Sequence, residues 1–377
     1  MGSIKMKVMH FIHGLNTGGA ETLVKNYMLN FNENSVDVIL LCLNYCENSP
    51  YEEILANAGI RIIYVSDYLH YGKIINKIFR YLLVRRFIRM ESPDILHTHL
   101  FVNRYVKFAK PDINTRIFYT VHNEPKILWF GSSKKRKKDF EATKWLLRHY
   151  NFRFIVLHEK MKKEVEDIFG VSKAVVLNNG IDVLKFKNTK GKSRLRAELG
   201  IPEAAFVIGH VGRFAQQKNH EFLVNVFKKI KNPNKFLLMI GNGEDKTKIE
   251  NILNKYNLNS KYLILSSRND IPDLMSAMDV FVFPSKYEGL GIALIEAQEA
   301  KLPCFVSDTV PEYATISNLV TRLSLNEGAE KWAEVIEKYK KPENVVVDDE
   351  NWDIKKITKQ LEKIYEKALE EKKSGKK

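Results

Sequence analysis

The decisive stretch of the sequence is DVFVFPSKYEGLGIALIEA, which occupies residues 279–297. Its apolar beginning, 279–283, predicts a buried β-strand, and the pattern that follows predicts a helix beginning near Gly291. A glycine-rich turn lies between them, so the amino-terminal end of the helix can offer free N–H groups and a positive dipole to a phosphate. A strand, a turn and a helix in this order form the repeating unit of a parallel α/β sheet.

Two acidic residues flank this turn. Glu288 lies just before the predicted helix and Glu296 lies within it, with seven residues between them. A carboxylate accepts hydrogen bonds from sugar hydroxyls, so two acids beside a phosphate-binding turn suit a nucleotide sugar. A purely structural reading would have to explain why an acid stands on an otherwise largely apolar helix.

Strand and helix patterns alternate along most of the chain. Short β-branched and apolar runs predict strands, and the segments between them have helical periodicity, for example 20–31, 73–90 and 159–169. The predicted strands are 7–12, 36–42, 60–65, 94–98, 116–121, 153–157, 174–177, 206–211, 236–240, 262–265, 279–283 and 303–306. This order predicts two doubly wound α/β domains, whose ligands bind beyond the carboxyl ends of the parallel strands.

A polar segment and the tail set the expected domain limits. Residues 187–194 interrupt the alternation with Lys, Asn, Thr, Gly and Ser, which is typical of a linker. We therefore expect a first domain over 1–187 and a second over 195–350. Apolar residues then recur at helical spacing between Lys and Glu, which predicts an amphipathic final helix, 354–372, that must cover a surface.

Two further strand ends carry groups suited to an anion. Gly18 and Gly19 follow the first strand and open a helix, but their turn lacks the GxGxxG fingerprint of a nicotinamide dehydrogenase. Arg213 and Lys218 follow the first strand of the second domain, where a planar guanidinium and an ammonium can converge on a diphosphate. The alternatives are a merely structural turn for the glycines and a solvated surface for the cations.

Histidines end two neighbouring strands of the first domain. His97 and His99 end one strand, and His122 ends the next. Three imidazoles could suggest a metal site, but cysteine or carboxylate ligands with supporting spacing are missing, so no metal is predicted. His122 is better explained as a hydrogen-bond donor to substrate, with a structural role as the alternative. Neither a nucleophile elbow, a P-loop nor a Ser-His-Asp order is visible.

Composition limits the class of protein. The chain has 377 residues and is 45% hydrophobic, which suits two globular domains. Its apolar runs are far too short to span a membrane, no signal peptide is visible, and its three cysteines fit reduced thiols, so a cytoplasmic location is expected. The net charge of +15 indicates an anionic partner. Nucleic acid is disfavoured because no helix-turn-helix, zinc or RNA-binding signature accompanies the charge.

Two basic clusters dominate the first half of the chain. Residues 73–89 interleave Lys and Arg with Ile, Leu and Phe, and the run KKRKK at 134–138 follows Trp129 and Phe130. A basic amphipathic helix beside a basic loop with exposed aromatic residues predicts peripheral docking to the anionic inner face of a membrane. An ordinary crossover helix with solvated charges is the alternative.

These motifs, taken in order, resemble those of the family 4 glycosyltransferases, retaining enzymes with the GT-B fold. The resemblance covers nearly the whole chain and implies two Rossmann-like domains facing across a cleft, with the final helix crossing back to the first domain. It rests on Gly18-Gly19, Thr120-Val121-His122-Asn123, Asn179-Gly180-Ile181-Asp182, Gly212-Arg213 with Lys218, and the segment from Glu288 to Glu296.

The resemblance implies a role for each motif. Arg213 and Lys218 would neutralise the diphosphate of a UDP-sugar, Glu288 would bind the transferred sugar, and His122 would contact that sugar near its C6 hydroxyl. Glu296 would bind the ribose, the loop 267–270 would contact the base, and the glycine turns would approach the phosphates or the acceptor. The implied donor-binding residues are Gly18, Gly19, Arg268, Asn269, Gly289, Leu290, Gly291 and Glu296.

The resemblance thus implies a hexosyltransferase that needs no metal or other cofactor and acts on a glycan or lipid-linked acceptor, as in surface polysaccharide assembly. Breaking the anomeric C–O bond creates a diphosphate leaving group, which these cations would stabilise. Two alternatives stay open from the residues alone. One is a nucleotide-sugar epimerase or hydrolase of the same architecture, and the other is a non-catalytic partner of a transferase.

Overall fold

The computed structural model describes residues 5–16, 18–47, 49–70, 72–130, 133–266 and 268–374, with side chains up to residue 371. The β-strands within these ranges are β1 Met6–Ile12, β2 Val36–Cys42, β3 Arg61–Tyr64, β4 Ile95–His99, β5 Arg116–Thr120, β6 Phe152–Val156, β7 Ala174–Val176, β8 Phe206–Val211, β9 Lys235–Ile240, β10 Tyr262–Leu265, β11 Val280–Phe283, β12 Cys304–Ser307 and β13 Val320–Leu323.

Helices occupy most of the connections between these strands. They are α1 Gly19–Asn30, α2 Pro50–Asn57, α3 Lys73–Glu91, α4 Asn103–Ala109, α5 Pro125–Phe130, α6 Lys134–His149, α7 Glu159–Phe169, α8 Val183–Lys187, α9 Lys192–Leu199, α10 His220–Lys229, α11 Lys246–Lys255, α12 Ile271–Ser276, α13 Ile292–Glu299, α14 Gly328–Lys338 and α15 Ile354–Ser374.

The strands form two separate parallel sheets, as the alternating pattern predicts. The first has the order β3-β2-β1-β4-β5-β6-β7, and the second has the order β10-β9-β8-β11-β12-β13. In each sheet the order reverses next to the first strand of the domain, between β1 and β4 and between β8 and β11. Ligands of doubly wound sheets bind at this reversal, beyond the carboxyl ends of the strands.

The final helix belongs to the first domain, as predicted. Along α15, Ile357, Leu361 and Tyr365 are buried in the same apolar cluster as Val8, Leu40 and Phe118 of the sheet. The helix backbone is also fixed, because the guanidinium Nε of Arg116 donates to the carbonyl oxygen of Ala368 at 2.8 Å. The charged face of α15 stays outside, which explains the amphipathic repeat in the sequence.

The second domain has its own apolar core. Ile208, Leu237 and Val282 of the central strands pack with Phe227 of α10 and Trp332 of α14. The two compact units comprise residues 1–180 with 351–377 and residues 181–350. The first boundary lies earlier than the predicted linker at 187–194, because the short helix α8 packs against α12 and α13 of the second domain.

Two local predictions differ from the structure. The basic run at 134–138 is not a loop but the first turns of α6, which Ser133 caps by accepting a hydrogen bond from the backbone N–H of Lys135. Trp129 is not exposed, because its ring packs against Phe169 at 4.8 Å, although Phe130 is exposed. Within the described residues, no helix has the length and apolar composition that crossing a bilayer requires.

Candidate functional site

A buried ion pair lies at the carboxyl ends of β8 and β11. The ammonium Nζ of Lys218 is 2.7 Å from Oε1 of Glu288, and both side chains are largely buried. Gln217 holds the same segment by donating to the carbonyl oxygen of Tyr287 at 2.9 Å. The Lys218 ammonium also lies over the ring of Phe283, at 4.5 Å from its centroid. The structure thus brings together two residues predicted independently, one for a phosphate and one for a sugar.

The glycine turn leads directly into α13, as predicted. Gly291 has φ = +82°, a left-handed conformation that L-residues with a side chain rarely adopt, and it precedes the first residue of the helix. Tyr313 lies after β12, and its hydroxyl donates to the carbonyl oxygen of Gly289, which stabilises the turn. Because the N–H groups at the start of a helix lack full pairing within it, this end of α13 suits an anion. Leu290 is buried beside them.

Arg213 lies at the same edge but in a different environment. Its guanidinium is exposed and pairs with Glu244 at 2.9 Å. The loop that carries Glu244 follows β9 and was missed in the sequence. Its Gly241 has φ = +152°, and a Cβ there would lie 2.1 Å from the carbonyl oxygen of Gly212. Two glycines at a strand end, in Gly241-Asn242-Gly243, were the signal that could have located this close backbone contact.

The remaining donor-binding candidates of the second domain lie on α13 and in the loop after β10. Glu296 is half-buried on α13, and Arg268 follows β10, where its guanidinium binds both carboxylate oxygens of Asp270 at 2.7 and 2.5 Å. Asn269 is exposed beside it. Ser267 of the same predicted base-binding loop lies outside the described residues. Among the described residues, no hydrogen bond or ion pair joins Arg268, Asn269 or Asp270 to the Lys218–Glu288 pair.

In the first domain, Gly18 and Gly19 open α1 after β1. Gly18 is the residue before the first helical residue, and a Cβ there would lie 2.5 Å from the Glu21 carboxylate. Gly19 is exposed, so its backbone is accessible to a ligand. Thr17 of the same turn lies outside the described residues. The Glu21 carboxylate in the first turn of α1 thus lies close to Gly18, and the assignment of this turn to an anion stays a prediction.

His122 follows β5 and belongs to a cluster of histidines that the sequence only partly revealed. Its Nε2 is 3.0 Å from Nδ1 of His99, which in turn lies beside His10 of β1 and His97 of β4. Burial lowers the pKa of His122 and of His10 to about 3, and those of His97 and His99 also fall well below the ordinary value. These imidazoles are therefore neutral at physiological pH.

Ring nitrogens of His10, His97 and His99 lie within 4.8 Å of one another, a spacing that a metal ion could also use. However, both nitrogens of all three rings already have hydrogen-bond partners in the protein. A metal would have to displace the shared protons, so the geometry favours a hydrogen-bonded cluster.

A second feature missed in the sequence is a group of cations around His13, at the end of β1. Burial and the positive charges of Lys135, Arg104 and Arg80 lower the pKa of His13 to about 4. These cations come from α6, α4 and α3, and α4 packs against both of the other helices. Asp139 is the nearby acid, and its own burial raises its pKa to about 7. Long-range packing of three helices creates this cluster, so no local motif could have revealed it.

Two doubly wound domains with polar groups at the carboxyl ends of their strands are the architecture of GT-B glycosyltransferases. Residues 17–184 match the family model described as Glycosyltransferase Family 4, and residues 191–368 match the model described as Glycosyl transferases group 1. The chain therefore belongs to the family 4 glycosyltransferases, and it is an enzyme of the hexosyltransferase class.

Curated relatives agree with this assignment. EpsF of Bacillus subtilis (strain 168), named as a glycosyltransferase, is 32% identical over 355 residues, which cover 89% of this chain and 88% of EpsF. The UDP-Gal:alpha-D-GlcNAc-diphosphoundecaprenol alpha-1,3-galactosyltransferase of Escherichia coli is 29% identical over 321 residues, covering 81% of this chain and 80% of its own. The capsular polysaccharide biosynthesis glycosyltransferase CapH of Staphylococcus aureus is 25% identical and covers 96% of this chain and 98% of its own.

A solved structure confirms the fold. HepE of Anabaena, crystallised in complex with UDP and glucose, superposes with a TM-score of 0.77 and 16% identity, covering 95% of this chain and 99% of HepE. At this level of identity the likeness shows the fold alone. The expectation of a GT-B architecture is therefore confirmed.

Proposed function

We propose that this enzyme transfers a sugar from a UDP-sugar to a hydroxyl of a glycan or lipid-linked acceptor, with retention of the anomeric configuration. The observation that carries the proposal is the buried Lys218–Glu288 pair beside the turn that opens α13. It sets a cation for a diphosphate and an acid for sugar hydroxyls next to an anion-binding helix terminus. The UDP named in the Escherichia coli relative and bound to HepE supports uracil as the base.

The proposed chemistry consists mainly of charge stabilisation. As the anomeric C–O bond breaks, negative charge grows on the β-phosphate, where Lys218, Arg213 and the amino-terminal end of α13 stabilise it. Glu288 binds hydroxyls of the transferred sugar, and His122 donates a hydrogen bond to it. The remaining donor contacts are Glu296 to the ribose, Arg268 and Asn269 to the base, and the backbone at Gly18, Gly19, Gly289, Leu290 and Gly291 to phosphates or the acceptor.

Retention is implied by the family resemblance, and the proposed assignment contains no carboxylate that acts as a covalent nucleophile. Glu288 is engaged by Lys218, so we propose that the acceptor oxygen attacks the anomeric carbon from the face that the diphosphate leaves. The acceptor hydroxyl then loses its proton to the departing phosphate oxygen. Proton NMR of the product checks this: the anomer should match that of the donor, and the opposite anomer would refute the assignment.

The donor can be tested by thermal shift with UDP-, GDP- and ADP-sugars. A ligand that binds the native state raises the melting temperature, and the rise should be largest for a UDP-sugar. A donor consumed without any acceptor would instead indicate an epimerase or hydrolase. Because protein cations supply the positive charge, turnover in EDTA should equal turnover in Mg²⁺, and loss of activity in EDTA would contradict the proposed independence from metal.

We further propose that the acceptor is anionic and binds at the cations around His13. Arg80, Arg104 and Lys135 converge there from three helices, and the neighbouring Asp139 is only partly ionised near pH 7. The Escherichia coli relative takes an acceptor whose name includes a diphosphate. Surface polysaccharide assembly, named for CapH, is the proposed setting.

The acceptor site is tested by Lys135→Gln. This change should raise KM for a diphosphate-linked acceptor about tenfold, the size of one charge-assisted contact, and leave KM for the donor unchanged. The exposed Lys138→Gln on the same helix serves as the control. An equal effect on an acceptor that lacks the diphosphate would contradict the proposal.

Helix α3 supplies a candidate membrane-binding surface, and we propose an anionic bilayer as its partner. Ile74 is 80% exposed and Ile78 is 59% exposed, and Ile75, Phe79 and Leu82 continue the same apolar strip. Lys73 and Lys77 are exposed beside it. Apolar groups that enter the headgroup region next to cations are what interfacial helices require.

Sedimentation with liposomes tests this surface. The protein should bind vesicles containing phosphatidylglycerol more strongly than neutral ones, and Ile74→Glu with Ile78→Glu should abolish the difference. Ile113→Glu, at an exposed apolar position elsewhere in the first domain, should leave binding unchanged. Equal sedimentation with both kinds of vesicle would leave α3 as an ordinary crossover helix.

A further inference from the structure

The histidines of the first domain form one continuous chain of hydrogen bonds. Starting inside the domain, Oγ1 of Thr120 is 2.6 Å from Nε2 of His97, whose Nδ1 is 2.5 Å from the hydroxyl of Tyr365. That hydroxyl is 3.3 Å from Nε2 of His10. Nδ1 of His10 is then 2.9 Å from Nε2 of His99.

The chain ends at His122, whose Nε2 is 3.0 Å from Nδ1 of His99. Every member except His122 is buried, and His122 is half-buried at the carboxyl end of its strand. The chain therefore runs from the protein interior to the edge of the sheet where ligands bind. Its links join β1, β4, β5 and α15 of one domain.

The number of hydrogens limits the chain to a few arrangements. A neutral imidazole carries one N–H and one bare nitrogen, and each hydroxyl carries one hydrogen. With one hydrogen in each link and the Tyr365 hydroxyl both accepting and donating, either every group donates towards His122 or every group donates towards Thr120. In the first arrangement, Nδ1 of His122 carries the remaining hydrogen. In the second, Nδ1 of His122 is bare and the Thr120 hydroxyl must donate elsewhere. If Tyr365 instead accepted from both His97 and His10, its own buried hydrogen would have no acceptor among the described residues, which is unfavourable.

The surroundings of Thr120 favour the first arrangement. Its side chain is buried, and among the described residues His97 is the hydrogen-bond partner of its hydroxyl. Donation towards His122 uses that hydrogen, whereas the reverse direction would leave it buried without an acceptor in this part of the structure. Burying an unsatisfied hydroxyl is unfavourable, so the chain is polarised towards His122.

We infer that this chain is a tautomer-fixing relay that makes His122 present an N–H group at Nδ1 to an oxygen of the substrate. Tyr365 of the final helix is then a positioning residue, because among the described residues its hydroxyl is the group that connects His97 to His10. The inference rests on the proposed function, since His122 needs a substrate oxygen as its acceptor. It also explains why four histidines that burial keeps neutral stand in series.

Selective ¹⁵N-histidine labelling tests the relay without substrate. Long-range ¹H–¹⁵N correlation spectra, assigned with His122→Gln, should show His122 protonated at Nδ1 and bare at Nε2. In Tyr365→Phe the connection is broken, and His122 should shift wholly or partly to the Nε2–H form. A wild-type His122 protonated at Nε2, or a tautomer unchanged in Tyr365→Phe, would overturn the relay.

Kinetics provide the second readout. Tyr365→Phe should lower kcat/KM for the donor about fivefold to tenfold, the effect of one hydrogen bond, while the Kd for UDP stays constant. Tyr119→Phe is the matched control, because Tyr119 is buried in the same domain and its hydroxyl bonds no described residue. That control should change neither the tautomer nor the kinetics.

The two proposals can fail separately. Wild-type protein that turns over no UDP-sugar would refute the proposed function, while the tautomer of His122 would still decide the relay. Metal analysis provides a further check on the cluster. One equivalent of Zn²⁺ in the purified protein, lost in His97→Gln, would overturn the relay because a cation would occupy the place of the shared hydrogens.

Discussion

At the scale of residues, the pairing of Lys218 with Glu288 links the fold to the chemistry. Two opposite charges held in a largely buried position stabilise each other, and removing one leaves the other without compensation in a low-dielectric environment. The same two charges are the groups that we assign to the diphosphate and to the sugar. Stability and UDP binding are therefore expected to change together when Lys218 is replaced, whereas replacing Glu288 should affect stability and sugar transfer.

Replacing Lys218 with Met should lower the free energy of unfolding by about 3 kcal/mol, because the Glu288 carboxylate is left unpaired. The same change should weaken UDP binding about tenfold through loss of a charge-assisted contact. Urea denaturation and isothermal titration measure the two effects. Lys286→Met, at an exposed position on the same loop, is the control and should alter neither. Unchanged stability and affinity in Lys218→Met would contradict the role given to the pair.

Arg213 should behave differently because its ion pair with Glu244 is exposed. Arg213→Gln should cost less than about 1 kcal/mol of stability, the usual range for surface pairs, yet weaken UDP binding several-fold. Lys248→Gln removes a comparable exposed pair with Glu221 and should leave UDP affinity unchanged. If both variants bound UDP as wild type does, Arg213 would be merely a surface residue.

At the scale of elements, the loops after β8 and β9 are in close backbone contact beside the proposed diphosphate site. Gly241 lies against the backbone of Gly212, one residue before Arg213. Gly241→Ala should destabilise the second domain by about 2 to 3 kcal/mol, since the new Cβ meets a carbonyl oxygen in a strained conformation. Thermal unfolding with and without UDP measures this effect.

Gly200→Ala is the matched control for that change. Gly200 also has a positive φ, of +66°, but a Cβ there has no neighbour within 4 Å. It should therefore show only the conformational cost of about 1 kcal/mol. Equal destabilisation by the two substitutions would mean that the close backbone contact is unimportant.

Most elements could be predicted because their sequence patterns are long and regular. The buried parallel strands are continuous apolar runs, and α3 and α15 repeat every three to four residues. The edge strand β13 was missed because Val320-Thr-Arg-Leu323 is four residues long and mixes polar with apolar residues. The basic run at 134–138 looked like a loop because its cap, Ser133, is a single residue that many turns also contain.

At the scale of the whole molecule, the buried histidines predict a strong dependence of stability on pH. Burial lowers the pKa of His10 and His122 to about 3, of His210 to about 4 and of His220 to about 2. Below pH 6.5 the unfolded chain binds protons that the folded chain excludes, so stability falls as the pH falls towards 4. Each such histidine contributes about 1.4 kcal/mol per pH unit.

Two buried carboxyls act in the opposite direction. Burial raises the pKa of Asp139 and Glu299 to about 7, so their protonation favours the folded state as the pH falls below 7. Among the described residues, histidines with a lowered pKa outnumber carboxyls with a raised pKa, so the urea midpoint should decrease from pH 6.5 to pH 5. The further histidines with a lowered pKa are His13, His97, His99 and His158, and the further carboxyls with a raised pKa are Glu52 and Glu124. His220→Phe, whose ring would keep the stacking on Phe214, should reduce this slope. A midpoint that rises on acidification would contradict this account.

The candidate site could be predicted where chemistry is local and not where it depends on packing. Glu288, Gly291 and Lys218 stand in recognisable strand-to-helix segments, and the structure places Lys218 against Glu288. His10 gave no signal, because a histidine inside an apolar strand resembles a core residue until β4 and α15 are packed beside it. The contact between Tyr365 and His10 could not be predicted either, because the two residues are 355 positions apart in the sequence.

The most direct test of the central claim is transfer by Glu288→Gln compared with wild type, using a radiolabelled UDP-sugar and a diphosphate-linked acceptor. The account predicts that the variant binds UDP with wild-type affinity but transfers sugar at least about a hundredfold more slowly, because a neutral amide stabilises the sugar hydroxyls and the developing positive charge poorly. Wild-type transfer by Glu288→Gln would contradict the assignment of Glu288 to the sugar and with it the proposed site.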